Sequence, residues 1–326
     1  MQRSPLADRI NRIAYLVVNV SDAERSRAFY ENLTPLRVLT SIDAPEQTFH
    51  SLGIAEGSFR GYALDDRSGA LPMQVHLIEW TSPRPVGQAY PVFWHVGLAK
   101  MAFITTSARS KLQQLKGAGV EPSNHLIYRG YTSIQDPDGV IISFPAQQIE
   151  EATEIHETLI HTNPSVRDIE RSMDFYSNVL GLHLASESVP PQPVESSQGP
   201  GSVLSQWDSH LYTGRAGGPF HIDLSQFHHP APTPDTLTPY EQANNLGIAR
   251  IGFEVDDIEA CRAILGAGEI EEWDYGPGWK PRRTLCFRDP DGIRLELFEK
   301  DFTVQRHRSD GANPPPLDPQ GQSATP

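Results

Sequence analysis

Apolar residues along the chain fall into short β-type runs, and each run gives way to a polar cap and then a helix-spaced stripe. Residues 12–20, RIAYLVVNV, are dense in β-branched and aromatic side chains and predict a strand. The stretch that follows, SDAERSRAFYENL (21–33), predicts a helix. Ser21 and Glu24 have capping-box spacing, and Phe29 and Leu33 sit four apart on one face. In the second copy of this stretch, Asp168 is placed to cap, with Phe175 and Val179 as the stripe. KMAFITTSARSKLQQLKGAGV and RIGFEVDDIEACRAILGAGE repeat the order strand, cap, helix and glycine stop. Short strands follow each helix. The pattern therefore predicts an α+β chain of four βαβββ units, at 10–82, 97–147, 157–230 and 247–300.

Two motifs recur at long range. ERS-x-x-FY begins at Glu24 and again at Glu170, and DPDG begins at Asp136 and again at Asp289. Each half opens with the first motif and closes with the second, so two copies of one large unit are predicted rather than a solenoid. Gly139 and Gly292 are placed for positive φ in a tight turn before the last strand. The expected boundaries are an N-terminal domain at 1–147, a linker at 148–156, a C-terminal domain at 157–302 and a tail at 303–326. The tail contains GANPPPLDPQGQSATP and reads as disordered by composition.

A strand ending in V-x-D, then ERS-x-x-FY, then a late DPDG strand, resembles the vicinal oxygen chelate superfamily. That group includes glyoxalase I, bleomycin-resistance proteins and extradiol dioxygenases. The resemblance implies that each half pairs its two units into a half-open, eight-stranded cup. It also implies a divalent metal (Fe, Mn, Zn or Ni) held by one residue from each of four strands. Offsets from the motifs carry those positions to Tyr15, His76, Lys100 and Ser143 in the first half. In the second half they fall on His161, Asp223, Arg250 and Glu296.

Lys100 as an ammonium has no lone pair and Ser143 is a weak donor, so the first half is expected to be metal-free. In the second half His161, Asp223 and Glu296 form the candidate metal set, and His221 is a reserve ligand. Arg250 breaks the family pattern, because a guanidinium is never a ligand. Two readings stay open. In one, a metal is bound and Arg250 grips substrate, so that Arg250 and Glu296 act in catalysis. In the other, Arg250 replaces the cation and pairs with Asp223 or Glu296, within a functional pocket or as a plain salt bridge.

The resemblance implies a metal-assisted lyase or isomerase, or a ring-cleaving dioxygenase, acting on a small organic molecule. The alternative is a metal-free binding protein of the bleomycin-resistance type. Trp273, Tyr275 and Trp279 are candidate substrate-binding residues; the competing reading is that they pack beneath a loop. The long segment 183–210 reads as a lid or a plain insertion, and His228 and His229 as surface residues.

Composition narrows the partners. A net charge of −14 disfavours nucleic acid, and no apolar run suits a membrane. Two cysteines without metal or redox spacing, and no leader-like start, suit a cytoplasmic protein. A homodimer is left open.

Overall fold

A computed structural model describes residues 6–299, apart from 69–71, 123–131, 146–154, 189–193, 196–203, 215–219, 230–232 and 267. The tail expected at 303–326 and most of the expected linker lie outside the described residues.

The first unit comprises β1 (Ile10–Asn19), α1 (Ala23–Leu33), β2 (Arg37–Phe49), β3 (Ile54–Asp65) and β4 (Gln74–Ser82). In the second are β5 (Gly97–Thr105), α2 (Ala108–Gly117), β6 (Thr132–Gln135) and β7 (Ile141–Phe144). The third has β8 (Glu157–Ser165), α3 (Ile169–Asp174), β9 (His183–Ser188), β10 (Val194–Glu195), β11 (Leu204–Thr213) and β12 (His221–His229). The fourth has β13 (Gly247–Val255), α4 (Ile258–Leu265), β14 (Ile270–Trp273), β15 (Arg282–Arg288) and β16 (Arg294–Glu299).

Each helix starts on a side-chain cap: Asp22, Ser107, Asp168 and Asp257 accept from the backbone N–H three residues on. Asp22, not Ser21, caps α1. A carboxylate there gains from the positive end of the helix as well as from the hydrogen bond. Ser21 instead donates its hydroxyl to Asp138 at 2.5 Å. Leu33 is buried as expected, but the aromatic of each stripe shifts by one residue. Tyr30 and Tyr176 are fully buried, whereas Phe29 and Phe175 are only partly covered.

These tyrosines explain why the two motifs travel together. Tyr30 donates to Asp136 and Tyr176 to Asp289, each at 3.1 Å. Each aspartate also accepts two backbone N–H groups of its own turn, from Asp138 and Val140 in one copy and from Asp291 and Ile293 in the other. ERS-x-x-FY and DPDG are thus two sides of one latch. It ties unit one to unit two, and unit three to unit four.

The sheets join the units differently. The first sheet runs β14-β15-β16-β13-β1-β4-β3-β2, so it combines units four and one. The second runs β10-β11-β12-β8-β5-β7-β6, with β9 on β11, and combines units three and two. The expectation that each half builds its own cup is therefore corrected: every sheet takes strands from both halves. Its seams are antiparallel pairs of first strands, β1 with β13 and β5 with β8. The segments that carry the chain from one sheet to the other pack on each other. Tyr90 and Tyr240 stack at 3.8 Å and each hydroxyl accepts from the other's backbone N–H. Gly97 and Gly247 leave room for these rings, since a Cβ on either would meet one at 2.4–2.5 Å. The four units close into a ring, joined alternately by sheet seams and latches.

Candidate ligand cups

Crosswise pairing redistributes the candidate positions. Tyr15, His76, Arg250 and Glu296 share the first sheet, on β1, β4, β13 and β16. Lys100, Ser143, His161 and Asp223 share the second, on β5, β7, β8 and β12. The candidate metal set of His161, Asp223 and Glu296 is therefore split between two sheets. The offsets put four residues on each sheet, but a one-dimensional repeat does not reveal which unit pairs with which.

In the first cup Glu296 is the hub. Its Oε2 accepts from Arg250 Nε at 2.6 Å, and its Oε1 from Arg282 at 2.5 Å and from the Tyr15 hydroxyl at 2.5 Å. Arg282 also donates to the hydroxyls of Tyr15 and Tyr275, each at 2.7 Å. The side chains of both arginines are 1% exposed and that of Glu296 is 0% exposed. Burial pushes the Glu296 carboxyl up, but Arg282, Arg250 and the bond from Tyr15 outweigh it and hold it below the usual range. His76 stacks on Tyr15 at 4.3 Å and bonds Gln74 at 2.9 Å. Burial, then the two guanidiniums, pushes its pKa well down, so it stays neutral.

Aromatic side chains fill the rest of this cup. Trp80, Trp273, Tyr275, Phe49 and Phe59 are at most 1% exposed and cluster with Trp279, 8% exposed. The Arg282 guanidinium lies 4.4 Å from the Tyr275 ring centroid and 4.9 Å from those of Tyr15 and Phe298. Gly252 is required here, because a Cβ at that position would meet the Tyr15 ring at 2.2 Å. Trp273, Tyr275 and Trp279 therefore pack inside the cup rather than lining an open mouth. Arg250 pairs with Glu296, as the cation-replacement reading expected.

The second cup is polar. Pairing β5 with β8 sets Lys100 opposite Asn163 and Ala102 opposite His161, and β12 brings His221 beside His161. Strand alternation then puts Lys100, His161, Asn163, His221 and Asp223 on one face. Asn163 Nδ2 donates to Asp223 Oδ2 at 2.5 Å. Burial, then Lys100 and His221, pushes the His161 pKa well down, so its imidazole is neutral. Burial also lowers Lys100, against the pull of Asp223. His161 is 9% exposed and Asn163 4%, and among the described residues His161 Nε2 and Asn163 Oδ1 have no hydrogen-bond partner. Ser143 bonds Ser133 at 2.9 Å. His228 is exposed, and the side chain of His229 lies outside the described residues.

The model of the Glyoxalase/Bleomycin resistance protein/Dioxygenase superfamily matches residues 12–144 and 158–297. The chain belongs to this superfamily. Curated relatives are half-length: the uncharacterized protein YaeR of Escherichia coli is 27% identical over 146 residues, 44% of this chain and 94% of the relative. A lactoylglutathione lyase of Haemophilus influenzae is 27% identical over 151 residues, with the same shares. Over the full length the fold resembles glyoxalase I of Zea mays, with TM-score 0.58 and 19% identity, covering 89% of this chain and 93% of that one. A dioxygenase-titled structure from Bacillus subtilis gives TM-score 0.55 and 12% identity, covering 90% and 86%.

The divalent metal common in the superfamily does not fit the donors of the first cup, and the second carries a lysine at one of its four positions. In the first, two guanidiniums and a phenol engage both oxygens of Glu296, and Arg250 stands where a ligand would be. In the second, the four positions hold His161, Asp223, Ser143 and Lys100, of which Lys100, an ammonium, is no ligand and Ser143, bonded to Ser133, is a weak one. Among the described residues no three or more His, Cys, Asp or Glu side chains are placed to hold an ion. No described helix is long and apolar enough to cross a membrane.

Sequence reasoning missed Arg282 and Asn163. In the sequence Arg282 reads only as a basic residue beside the aromatics of WDYGPGWKPRR. Its role needed the register that sets Cys286 against Glu296 and so carries β15 across the cup. Asn163 was within reach, because it lies two residues from His161 on a strand and so shares its face.

Proposed function

We propose that this protein is a metal-independent, small-molecule-binding member of its superfamily. In this reading the ligand sits in the second cup, on the face carrying Lys100, His161, Asn163 and Asp223, and the first cup is a closed structural core. The Arg250–Glu296–Arg282 cluster is the observation that carries it. Arg250, at one of the positions from which the superfamily's metal would be held, and Arg282 beside it supply the positive charge, and aromatic packing takes the remaining space. Glu296, and Arg250 with it, is then structural rather than catalytic.

The test is the metal content of the purified chain, before and after incubation with Fe²⁺, Ni²⁺ or Zn²⁺. Clearly substoichiometric metal is expected throughout. Stoichiometric metal that disappears in Glu296→Ala or His161→Ala would overturn the reading.

A metal-free acid–base enzyme is the second reading. It is favoured by a neutral, buried imidazole at His161 on the face that also carries Lys100. Turnover abolished by His161→Gln, with ligand binding retained, separates it from a pure binder.

A further inference from the structure

We propose that the loop 274–281 is a lid on the first cup, swinging about the Trp273–Arg282 strand pair and carrying the Tyr275 and Trp279 side chains in and out as one plug. The closed first cup is then the state with this lid seated.

The loop joins β14 to β15, and pairing of Trp273 with Arg282 holds its two ends side by side. A compact loop with adjacent, fixed ends can move without disturbing the sheet that carries it. Its own bonds hold it together: Gly276 N donates to Asp274 Oδ1 at 2.7 Å and Trp279 N to the Gly276 carbonyl at 3.1 Å. The Tyr275 and Trp279 rings lie 5.3 Å apart, so they travel together.

Across the cup the loop meets β2. β2 and β14 are the two ends of the sheet order, so no strand ladder joins them. Asp43 N donates to the Tyr275 carbonyl at 3.0 Å, and the other clasps run through side chains. Gln47 Nε2 donates to the Asp274 carbonyl at 2.7 Å, and Asp274 N returns a bond to Gln47 Oε1 at 2.9 Å. The Trp279 indole donates to the Ser41 carbonyl at 2.6 Å. Gly276 has φ +91°, and a Cβ there would meet Asp43 O at 2.2 Å, so the seated lid fits closely against the β2 edge.

The charges beneath do not depend on the lid. Glu296, Arg250, Arg282 and Tyr15 all sit on strands, and Glu296 keeps its three donors when the loop lifts. Arg282 gives up the Tyr275 hydroxyl and the ring 4.4 Å away, and gains water in exchange. No buried charge is stranded, so opening avoids the penalty that breaking the Glu296 cluster carries. It uncovers Arg282 and His76, whose ring lies 6.3 Å from Tyr275 and 5.7 Å from Trp279.

The test is hydrogen exchange of the full chain by NMR, in the native state with and without low urea. The Asp43 and Asp274 amides and the Trp279 indole N–H should share one protection factor, insensitive to low urea. It should be about a hundred-fold below that of the Leu16 and Ile251 amides in the β1–β13 seam. Gln47→Ala leaves the bonds of Asp43 and Trp279 in place, yet both should lose protection by about ten-fold, with Leu16 and Ile251 unchanged. Unequal protection at the three sites would mean separate fraying and would overturn the lid. Protection equal to that of Leu16 would mean that the cup opens only on unfolding, and would do the same. A loss confined to Asp274 in Gln47→Ala, or one as large at Leu16 as at Asp43, would also count against a lid that moves as one body.

Discussion

Replacing Glu296 with glutamine keeps the shape of the side chain and removes its charge. The wild-type carboxylate receives donors from Arg250, Arg282 and Tyr15 in a site with essentially no solvent exposure. The amide group would present N–H donors to guanidiniums that are themselves only donors. Breaking a buried pair from one side costs about 3–5 kcal/mol, because the remaining charge is stranded. With two stranded guanidiniums the upper half of that range is expected, roughly a 6–10 °C fall in Tm for a chain of this size. Urea unfolding followed by tryptophan fluorescence suits the measurement, since Trp80 and Trp273 are buried in the same cup. The pH dependence adds a second check. The Glu296 carboxyl is held below its usual range, so its contribution is present above the ordinary glutamate pKa of about 4.3 and is lost as pH falls through the folded value. The gap between wild type and variant should therefore narrow in acid. A triple change, Glu296→Leu with Arg250→Met and Arg282→Met, should cost less than Glu296→Gln alone, because no charge is left behind. A loss of under about 1 kcal/mol for Glu296→Gln, the size of an exposed pair, would refute the reasoning. So would a gap that does not change with pH.

Other expectations are simpler. Gly252→Ala should destabilise by about 1–3 kcal/mol by driving a methyl into the Tyr15 ring, read from the urea midpoint. Burial pushes the Asp289 carboxyl up to about 7, against the bonds from Ile293, Tyr176 and Asp291, so the folded chain keeps a proton that an unfolded aspartate with pKa about 4 has released. That contribution is complete below about pH 4 and is lost as pH rises through about 7, so Asp289→Asn should flatten the stability curve over that window. Tyr176→Phe removes one latch bond at about 1 kcal/mol, and a double change with Asp289→Asn should be less than additive. Halves 1–152 and 153–302, produced separately and mixed, should assemble, because neither contains a complete sheet; size-exclusion chromatography would show it, and two independently folded monomers would contradict the topology.

The period and the unit were legible because hydrophobic alternation and capping are local. The same held for Asp168 as a cap. Partner choice was not legible. β1 and β8 hold the same place in their units, and either first strand could in principle meet any other. The crosswise choice goes with long-range contacts such as Tyr90 packed on Tyr240, residues 150 apart. Likewise WDYGPGW reads as an aromatic loop in one dimension. Only the approach of β14 and β15 to β2, β3 and β4 makes it a core. Lys100 was dismissed as a non-ligand, correctly as chemistry, yet it faces the polar cup because its partner strand carries His161 and Asn163.

Crosswise pairing has an evolutionary consequence. If two identical half-length chains associated this way, both cups would have to be the same, and any substitution would appear in each. Once the halves are joined in one chain, unit one can drift away from unit three and unit four away from unit two. One cup then draws on the pair one and four, the other on two and three. Fusion thus separates the fates of two sites that identical subunits must keep alike. Aromatic filling of one cup beside the polar face of the other is the kind of asymmetry only a single, fused chain is free to accumulate.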